Sequence, residues 1–388
     1  MDFILTEEQK MLKNTVRKLA IVQFKPLASR WDENEEFPWE NIKKLSELGY
    51  MGLTMPEEYG GGAAKVIDVV IMLEEIAKVC ATTAGAVLMH TGAGSKLITL
   101  YGNKRLKERI LPQLAKGEKI CAFAMTEPGA GSAATDLKTT AVLDGACYLL
   151  NGRKCFISLA GVADVYSTVV RFADAPGGSI EGIGTILVEK GMIGFAIGTI
   201  EKKMGVRGFK TGELIFEDCK VPKENLLLGK GGFKKVMTAF NGERCGNAAI
   251  CLGIAEGAFE VALNYSKERK AFNRDICEFQ GIQWMLADMK IKIDAAQALI
   301  YKTASNADLS SPSQLETSVA KTFANEMVME VTNNAVQILG GYGYSRDYPV
   351  ERMMRDAKAF SIGGGTPQMQ RNIIASLILE RKFSQRRI

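Results

Sequence analysis

The stretch KTTAVLDGACYLLNGRKCFIS, residues 138–158, separates two helical parts of the sequence and decides the fold class. It contains short β-rich runs, and Asp144-Gly145 and Asn151-Gly152 lie between them. Asp-Gly and Asn-Gly favour the left-handed dihedrals of tight hairpin turns, so both pairs predict β-hairpins. The runs VYSTVVRFA, GTILVEK, FAIGTIEKK and GELIFEDCKVP continue in the same style. Residues 121–227 are therefore predicted to form a compact antiparallel β domain.

Helical periodicity lies on both sides of this domain. In residues 1–120, segments such as VIDVVIMLEEIAKVC place apolar residues at i, i+3, i+4 and i+7. Thr6 and Gln9 have capping-box spacing and predict the start of the first helix. In residues 228–388, three long and largely apolar segments predict a helical bundle or a subunit interface. The predicted order is α, β, α.

Composition and charge exclude several classes of protein. Of 388 residues, 47% are hydrophobic and 24% charged, and the net charge of +5 is too small to favour a nucleic-acid partner. No apolar run in the sequence is expected to cross a membrane, and the N-terminus does not resemble a signal peptide. Eight cysteines without a CxxC pair suggest reduced thiols and a cytoplasmic location. Because His90 is the only histidine, the sequence disfavours a histidine-dependent hydrolase and a His-ligated metal centre, and His90 is expected to be structural.

Three further stretches carry chemical information. In CAFAMTEPGAGSA, residues 121–133, a glycine-rich turn with the hydroxyls of Thr126 and Ser132 could bind a polar ligand edge. By itself this turn is also common in proteins without a ligand. QILGGYGYSRDYPVERMMRDAK, residues 337–358, ends a helix in a double glycine, and SKERKAFNRDICEFQ, residues 266–280, connects two helices.

Together these stretches resemble the acyl-CoA dehydrogenase family over essentially the whole chain. MGVRGFKTGELIFEDCKVPKENLLL, residues 204–228, is also similar to the end of that family's β domain, whereas Ala133 stands where the family usually has Asp. The resemblance implies an α+β multidomain fold. It consists of an N-terminal α-helical domain (1–120), a middle antiparallel β-barrel (121–227) and a C-terminal four-helix bundle (228–388). It also implies FAD as the cofactor, an acyl-CoA substrate and no metal.

The resemblance implies cofactor contacts on both sides of a subunit interface. Within the β domain, the positions that match FAD contacts are Phe123, Met125, Thr126, Gly131, Ser132, Phe156, Ile157 and Ser158. The positions that match contacts to a neighbouring subunit's FAD are Arg269, Phe272, Gln280, Gln337, Gly340 and Gly341. Thr366 and Gln368 match positions beside the FAD. Contacts that cross between subunits imply at least a dimer, and the family is usually tetrameric.

The stretch KAFSIGGGTPQMQRNII, residues 358–374, lacks the residue that the family normally uses as its general base. Where most members have Tyr-Glu-Gly-Thr, this chain has Gly363, Gly364, Gly365 and Thr366. In the family, the backbone N–H at position 364 binds the thioester carbonyl, and Gly364 keeps that N–H. Gly365 is a further substrate-contact candidate.

A replacement base is predicted on the long helix that contains AFNGERCGNAAICLGIAEG, residues 239–257. Glu243 shares a face with mostly apolar residues, so we expect burial and a raised pKa. The chain resembles a subgroup, which includes isovaleryl-CoA and long-chain acyl-CoA dehydrogenases, whose base is a Glu followed by Arg on this helix. Glu243 is therefore predicted to be catalytic, with Arg244 as electrostatic support and with Asn241 and Ser132 as CoA contacts.

The resemblance implies α,β-dehydrogenation: a carboxylate takes the α-proton, a hydride leaves for the flavin, and electrons pass to electron-transferring flavoprotein. Loss of the Tyr and Glu side chains favours a branched, cyclic or aryl-substituted acyl group. The alternatives are a benzylsuccinyl-CoA-type dehydrogenase, an acyl-CoA oxidase or reductase, and a non-catalytic flavoprotein of the same fold.

Overall fold

The computed structural model describes residues 5–174, 180–307, 312–381 and 383, and it has the predicted order α, β, α. The first helical block contains α1 to α7, which are Glu7–Leu19, Ala28–Glu33, Trp39–Glu47, Val66–Ala77, Ala81–Thr91, Ala93–Tyr101 and Lys104–Ala115. The predicted capping box is confirmed at α1, where the Gln9 N–H donates to Thr6 Oγ1 at 3.2 Å and the Thr6 N–H donates to Gln9 Oε1 at 3.1 Å.

A break between α5 and α6 matters for the site. Gly92, with φ −81° and ψ −143°, interrupts the helical path and is the N-cap residue of α6. Ala93 is consequently the first residue of α6, and its N–H has no acceptor within the helix. This N–H is available to a side chain from another part of the protein.

Among the described residues, the β domain contains eight strands in one sheet. These strands, β1 to β8, are Cys121–Ala124, Thr140–Asp144, Cys147–Ser158, Val165–Phe172, Ile183–Glu189, Phe195–Ile200, Thr211–Pro222 and Leu226–Leu228. The order is β6-β7-β3-β2-β4-β5-β8, and β1 pairs with β4. Most pairs are antiparallel as predicted, but β1–β4 and β2–β4 are parallel. The chain reverses direction between β2 and β3 and again between β3 and β4, so β4 runs in the same direction as β2.

One of the two predicted hairpins is present. Asp144-Gly145 lies at the turn between β2 and β3, where Asp144 pairs with Cys147. The prediction for Asn151-Gly152 is wrong, because both residues lie inside β3, next to an irregularity in its pairing with β7. At Gly152, which has φ +146°, an added Cβ would lie 2.7 Å from Thr139 Cα. The glycine is therefore needed for close backbone approach and not for a turn.

The third block is helical and begins with the longest helix of the described residues. Helices α8 to α13 are Phe233–Glu268, Gln280–Ser305, Gln314–Leu339, Gly341–Tyr344, Val350–Ile362 and Pro367–Ile378. The two short strands β9 (Lys270–Ala271) and β10 (Arg274–Asp275) form a hairpin between α8 and α9. Helix α10 packs against α8, α9, α12 and α13, as expected of a helical bundle.

Helix α8 is long and apolar enough to cross a membrane, contrary to the sequence expectation that no such run exists. However, 72% of its most apolar window is buried inside the protein. A core helix of a soluble bundle passes the same length and hydropathy criteria, and burial identifies α8 as such a helix.

Candidate active site

Glu243 projects from α8 into the contact with the α5–α6 break. Its side chain is buried, and its Oε2 accepts a hydrogen bond from the Ala93 N–H at 3.3 Å. Burial raises the pKa of Glu243 to about 7, although the Ala93 N–H and the charges of Arg244 and Lys321 favour the ionised form. The predicted burial and raised pKa are therefore confirmed, and the carboxyl group has the proton affinity of a general base near neutral pH.

Glu243 differs from most other buried acids of the described residues. Four of these acids form ion pairs within 4 Å, namely Asp32, Glu74, Glu75 and Glu127. Asp356 has no such pair, but it accepts a hydrogen bond from the Val206 N–H at 2.5 Å, at the contact of α12 with the β domain. A buried carboxyl group without an ion pair is expensive to keep, so Glu243 is a candidate for function rather than stability.

The glycine loop between α12 and α13 lies next to this part of α8. Gly364 and Gly365 have φ values of +71° and +93°, which glycine adopts without steric strain. The Gly364 carbonyl accepts from Arg244 Nε at 3.2 Å, and the Gly365 carbonyl accepts from Lys321 Nζ at 3.1 Å. Among the described residues, no acceptor is bound to the N–H of Gly364 or Gly365. These donors are available to a ligand.

Arg244 connects the loop to the β domain. Its Nη1 donates to Asn241 Oδ1 at 3.1 Å, so the oxygen of this predicted CoA contact is bound to Arg244. Its guanidinium also stacks on Phe240, with 5.2 Å between Cζ and the ring centre. The Phe240 ring in turn lies 5.6 Å from that of Phe123, in the segment predicted to contact the flavin. The structure thus brings together the predicted base, the loop and one end of the predicted flavin segment.

The predicted flavin segment of the β domain is held by a buried ion pair. Lys154 Nζ lies 2.7 Å from Glu127 Oε1 and donates to the Met125 carbonyl at 3.1 Å. The Cys155 N–H donates to the Thr126 carbonyl at 3.0 Å. These bonds place residues 123–126 beside residues 156–158.

Phe156 presents its ring outward from this segment. The pairing of β3 with β7 is irregular between Lys154 and Ile157, and such bulges redirect a side chain. Phe156 has φ +53° and remains 65% exposed, whereas Ile157 is buried. Strained backbone and an exposed aromatic ring are typical of a ligand site. Among the described residues, the hydroxyls of Thr126, Ser132 and Ser158 have no hydrogen-bond partner. An aromatic wall with free donors fits the polar edge and flat face of a flavin.

The predicted subunit-crossing residues form a separate group. The Arg269 guanidinium lies 5.6 Å from the ring of Tyr342, directly after Gly340 and Gly341. Phe272 is 91% exposed and lies 6.1 Å from the ring of Phe279, next to Gln280. Gln337 is in the last turn of α10, where its carbonyl accepts from the Gly340 N–H.

The length of α8 separates this group from Glu243. Arg269 follows Glu243 by 26 residues at the end of the same helix, so the two are about 39 Å apart along its axis. That separation is larger than the span from a flavin ring to its pyrophosphate. If Arg269 contacts a FAD pyrophosphate, that FAD belongs to a different site from the one beside the Glu243 of the same chain.

Three other predicted positions lie near the loop or on exposed turns. Thr366 Oγ1 accepts from the Met369 N–H at 3.3 Å and caps α13, while Gln368 is exposed. Gly131 is exposed in its turn, and an added Cβ would meet no atom within 4 Å.

His90 is structural, as predicted. Its Nδ1 accepts from the Cys121 N–H at 3.2 Å, and its Nε2 lies 3.1 Å from the Leu114 carbonyl. Burial lowers the pKa of His90 to about 4, so the ring is neutral at physiological pH. No group of three metal-ligating side chains occurs in the described part of the chain.

Sequence reasoning missed two contributors to the site. Lys321 holds the glycine loop from α10. Its helical neighbours include Thr317, Ser318 and Asn325, so the apolar-face signal used for Glu243 was absent. Gly92 makes room for Glu243: an added Cβ would lie 3.1 Å from Glu243 Oε2. The glycine alone gives no sequence signal, because its role depends on a residue about 150 positions later.

Comparison with known proteins agrees with this architecture. Three descriptions match in order: "Acyl-CoA dehydrogenase, N-terminal domain" over residues 6–118, "middle domain" over 122–219 and "C-terminal domain" over 230–379. The chain is 45% identical, over 379 residues, to "Acyl-CoA dehydrogenase, short-chain specific" of Clostridium acetobutylicum, covering 97% of this chain and 100% of that relative.

Two solved structures have the same fold throughout. Butyryl-CoA dehydrogenase from Megasphaera elsdenii is 38% identical with a TM-score of 0.93, over 98% of this chain and 100% of that one. A chain from a study of the electron transferring flavoprotein of Acidaminococcus fermentans is 42% identical with a TM-score of 0.94, with the same coverage. The chain belongs to the acyl-CoA dehydrogenase family, the FAD-dependent oxidoreductases that act on the CH–CH bond of acyl-CoA thioesters.

Proposed function

We propose that this enzyme dehydrogenates a branched, cyclic or aryl-substituted acyl-CoA at the α,β bond, with Glu243 as the general base. The observation that carries the proposal is a buried carboxyl group next to a loop that has no acid of its own. Arg244, the residue after Glu243, is bonded to the carbonyl of Gly364 in that loop. Base and loop are thus adjacent, as removal of a proton beside a loop-bound thioester requires.

Each of the residues around the glycine loop has a separate role in the proposed reaction. Glu243 takes the α-proton, and the free N–H of Gly364 binds the thioester oxygen on which negative charge develops. Arg244 and Lys321 place two positive charges behind this oxygen. Bound FAD supplies the hydride acceptor, and the residues that would hold it are those of the Phe123–Thr126 and Phe156–Ser158 segments. Arg269 of an adjacent subunit would contact the pyrophosphate.

The proposed substrate class rests on the glycine loop. At Gly363, an added Cβ would meet only the Ala359 carbonyl, at 3.3 Å, so the space beyond it is open. At Gly364, an added Cβ would lie 3.2 Å from Lys321 Cε, so Lys321 occupies part of the space that a side chain there would use. Extra room for a bulky acyl group therefore comes from Gly363 more than from Gly364.

An anaerobic panel of acyl-CoAs tests this function. We expect branched, cyclic or aryl-substituted thioesters to bleach the flavin absorbance at least about tenfold faster than short straight ones, since one or two extra buried methylenes give about this discrimination. Preference for butyryl-CoA would contradict the substrate class, and no bleaching by any thioester would contradict dehydrogenation. We also propose electron-transferring flavoprotein as the acceptor, and hydrogen peroxide formation in air would indicate an oxidase instead.

The pH dependence of bleaching tests the base. The groups that face Glu243 are the Ala93 N–H on α6, Arg244 on α8 and Lys321 on α10. Because only ionised Glu243 accepts the proton, the bleaching rate should rise with pH through a midpoint near 7 and reach a plateau above it. Below the midpoint the rate should fall about tenfold for each pH unit. Stopped-flow absorbance between pH 5.5 and 8.5 measures this, with flavin content checked at each pH. A rate that is constant from pH 5.5 to 7 would contradict the assignment.

We further propose a cytoplasmic homo-oligomer. All eight cysteines are free, which fits a reducing compartment. The exposed aromatic side chain of Phe272 and the remote position of Arg269 both support contact with another copy of the chain.

A further inference from the structure

Lys321 is a buried cation without a counter-ion. Three lysines of the described residues are buried, and two of them, Lys78 and Lys154, lie within 3 Å of glutamate oxygens. Lys321 has no accessible surface, yet no carboxylate of the described residues lies within 4 Å of its Nζ. A buried ammonium costs free energy unless its surroundings compensate, so this lysine is a poor choice for stability alone.

The partners of Lys321 are neutral oxygens, one of which belongs to the glycine loop. Its Nζ donates to Asn325 Oδ1 at 2.8 Å on its own helix and to the Gly365 carbonyl at 3.1 Å. Gln370 Nε2 donates to the same carbonyl at 3.2 Å. With Arg244 on the Gly364 carbonyl, two consecutive loop carbonyls thus face cations from α8 and α10.

These bonds determine the direction of the two N–H groups that follow the Gly364 N–H in the loop. In a planar trans peptide the N–H points away from the C=O of the same unit. Fixing the carbonyls of Gly364 and Gly365 toward the cations therefore turns the N–H groups of Gly365 and Thr366 the opposite way. Both glycines have left-handed φ values, and neither has a β-carbon that would restrict its backbone dihedrals. The hydrogen bonds to the two cations therefore restrain the loop instead.

Lys321 also acts on Glu243 through its charge. A positive charge near a buried carboxyl group favours the ionised form, and it would likewise favour negative charge on a thioester oxygen held by the loop.

We propose that Lys321 is a positioning residue for the reaction: its ammonium holds the thioester-binding loop through Gly365 and stabilises negative charge on the loop-bound oxygen. This inference rests on the proposed dehydrogenation for its kinetic part only. The holding of the loop is a property of the protein whether or not a thioester reacts.

Two substitutions distinguish the effect of the hydrogen bond to the Gly365 carbonyl from the effect of the positive charge of Lys321. Lys321→Met removes both, whereas Lys321→Gln keeps a donor for Gly365 without the charge. We expect Lys321→Met to bleach at least about tenfold more slowly at saturating acyl-CoA, since loss of one preorganised donor has effects of that order or larger. In both variants the pH midpoint should move upward, because ionised Glu243 loses a favourable charge. Lys321→Gln should keep more of the rate than Lys321→Met.

Hydrogen exchange of the loop gives a readout that does not depend on turnover. In Lys321→Met, peptides that cover residues 361–370 should exchange faster by about threefold or more, with little change elsewhere. Lys78→Met is the control, because it removes another buried ammonium remote from the loop. A folded, FAD-loaded Lys321→Met or Lys321→Gln protein with wild-type rate, midpoint and exchange would overturn the proposal. If the wild type is bleached by no acyl-CoA, the dehydrogenase function fails, and loop exchange alone still decides whether Lys321 holds the loop.

Discussion

Glu243→Gln should retain FAD and fold but reduce acyl-CoA-dependent bleaching by about three orders of magnitude, within the range that general bases contribute. Glutamine has nearly the same shape, and its amide oxygen can still accept the Ala93 N–H. What it lacks is proton affinity near neutral pH. The measurement is single-turnover bleaching under anaerobic conditions, with flavin content and melting temperature recorded for the same sample.

Glu256→Gln is the matched control for this variant. Glu256 lies on the same helix, 13 residues further along, and burial raises its pKa to about 7 as well. It lies 2.9 Å from Lys78 and has no contact with the glycine loop. We expect Glu256→Gln to bleach at nearly the wild-type rate. If Glu243→Gln also bleaches at that rate, the base is another group and the central assignment is wrong.

Mixed oligomers of Glu243→Gln and Arg269→Met subunits should recover activity that neither parent has. Loss of a charged hydrogen bond to the pyrophosphate should weaken FAD binding by about tenfold to a hundredfold, so Arg269→Met alone is inactive at limiting FAD. If Arg269 serves the neighbouring subunit's cofactor, each mixed pair contains one site with both residues intact. Random pairing in a two-fold dimer then restores about a quarter of the wild-type sites.

Co-expression of the two variants without selection yields the randomly paired protein, and bleaching is measured per subunit at limiting FAD. Arg274→Met is the matched control for the arginine, because Arg274 lies in the hairpin that directly follows Arg269 but stacks on Phe279, at 3.9 Å from Cζ to the ring centre. That variant should keep FAD. An inactive mixed protein would mean that Arg269 and Glu243 act in the same subunit, contrary to the separation expected from the length of α8.

The order of elements and the burial of Glu243 could be predicted from local patterns. Helical periodicity, the β-rich runs and the Asp144-Gly145 turn depend on neighbours a few residues away, and these predictions are confirmed. The hairpin prediction for Asn151-Gly152 was wrong because glycine serves both in tight turns and where two backbones approach closely. Only the packing of Thr139 against β3 shows which of these applies at Gly152. The parallel pairing of β4 with β1 and β2 likewise depends on contacts that no short window contains.

The residues that contact Glu243 or the glycine loop could not be predicted from local sequence patterns. Lys321, Gly92 and Ala93 reach Glu243 or the loop from helices distant in sequence, and each acts through one contact. Family resemblance supplied the positions of the base and of the cofactor contacts. It said nothing about Lys321, whose hydrogen bond to the Gly365 carbonyl is seen only in the structure.

Under the proposed assignments, helix α8 carries the base in its first half and Arg269 at its C-terminal end, so each chain would contribute to two different active sites. A newly synthesised chain without a partner would then have a base and a thioester-binding loop but would lack the guanidinium that holds its own FAD. Binding of FAD would then be coupled to association of the subunits. Dilution below the dissociation constant of the oligomer should release flavin and abolish activity together.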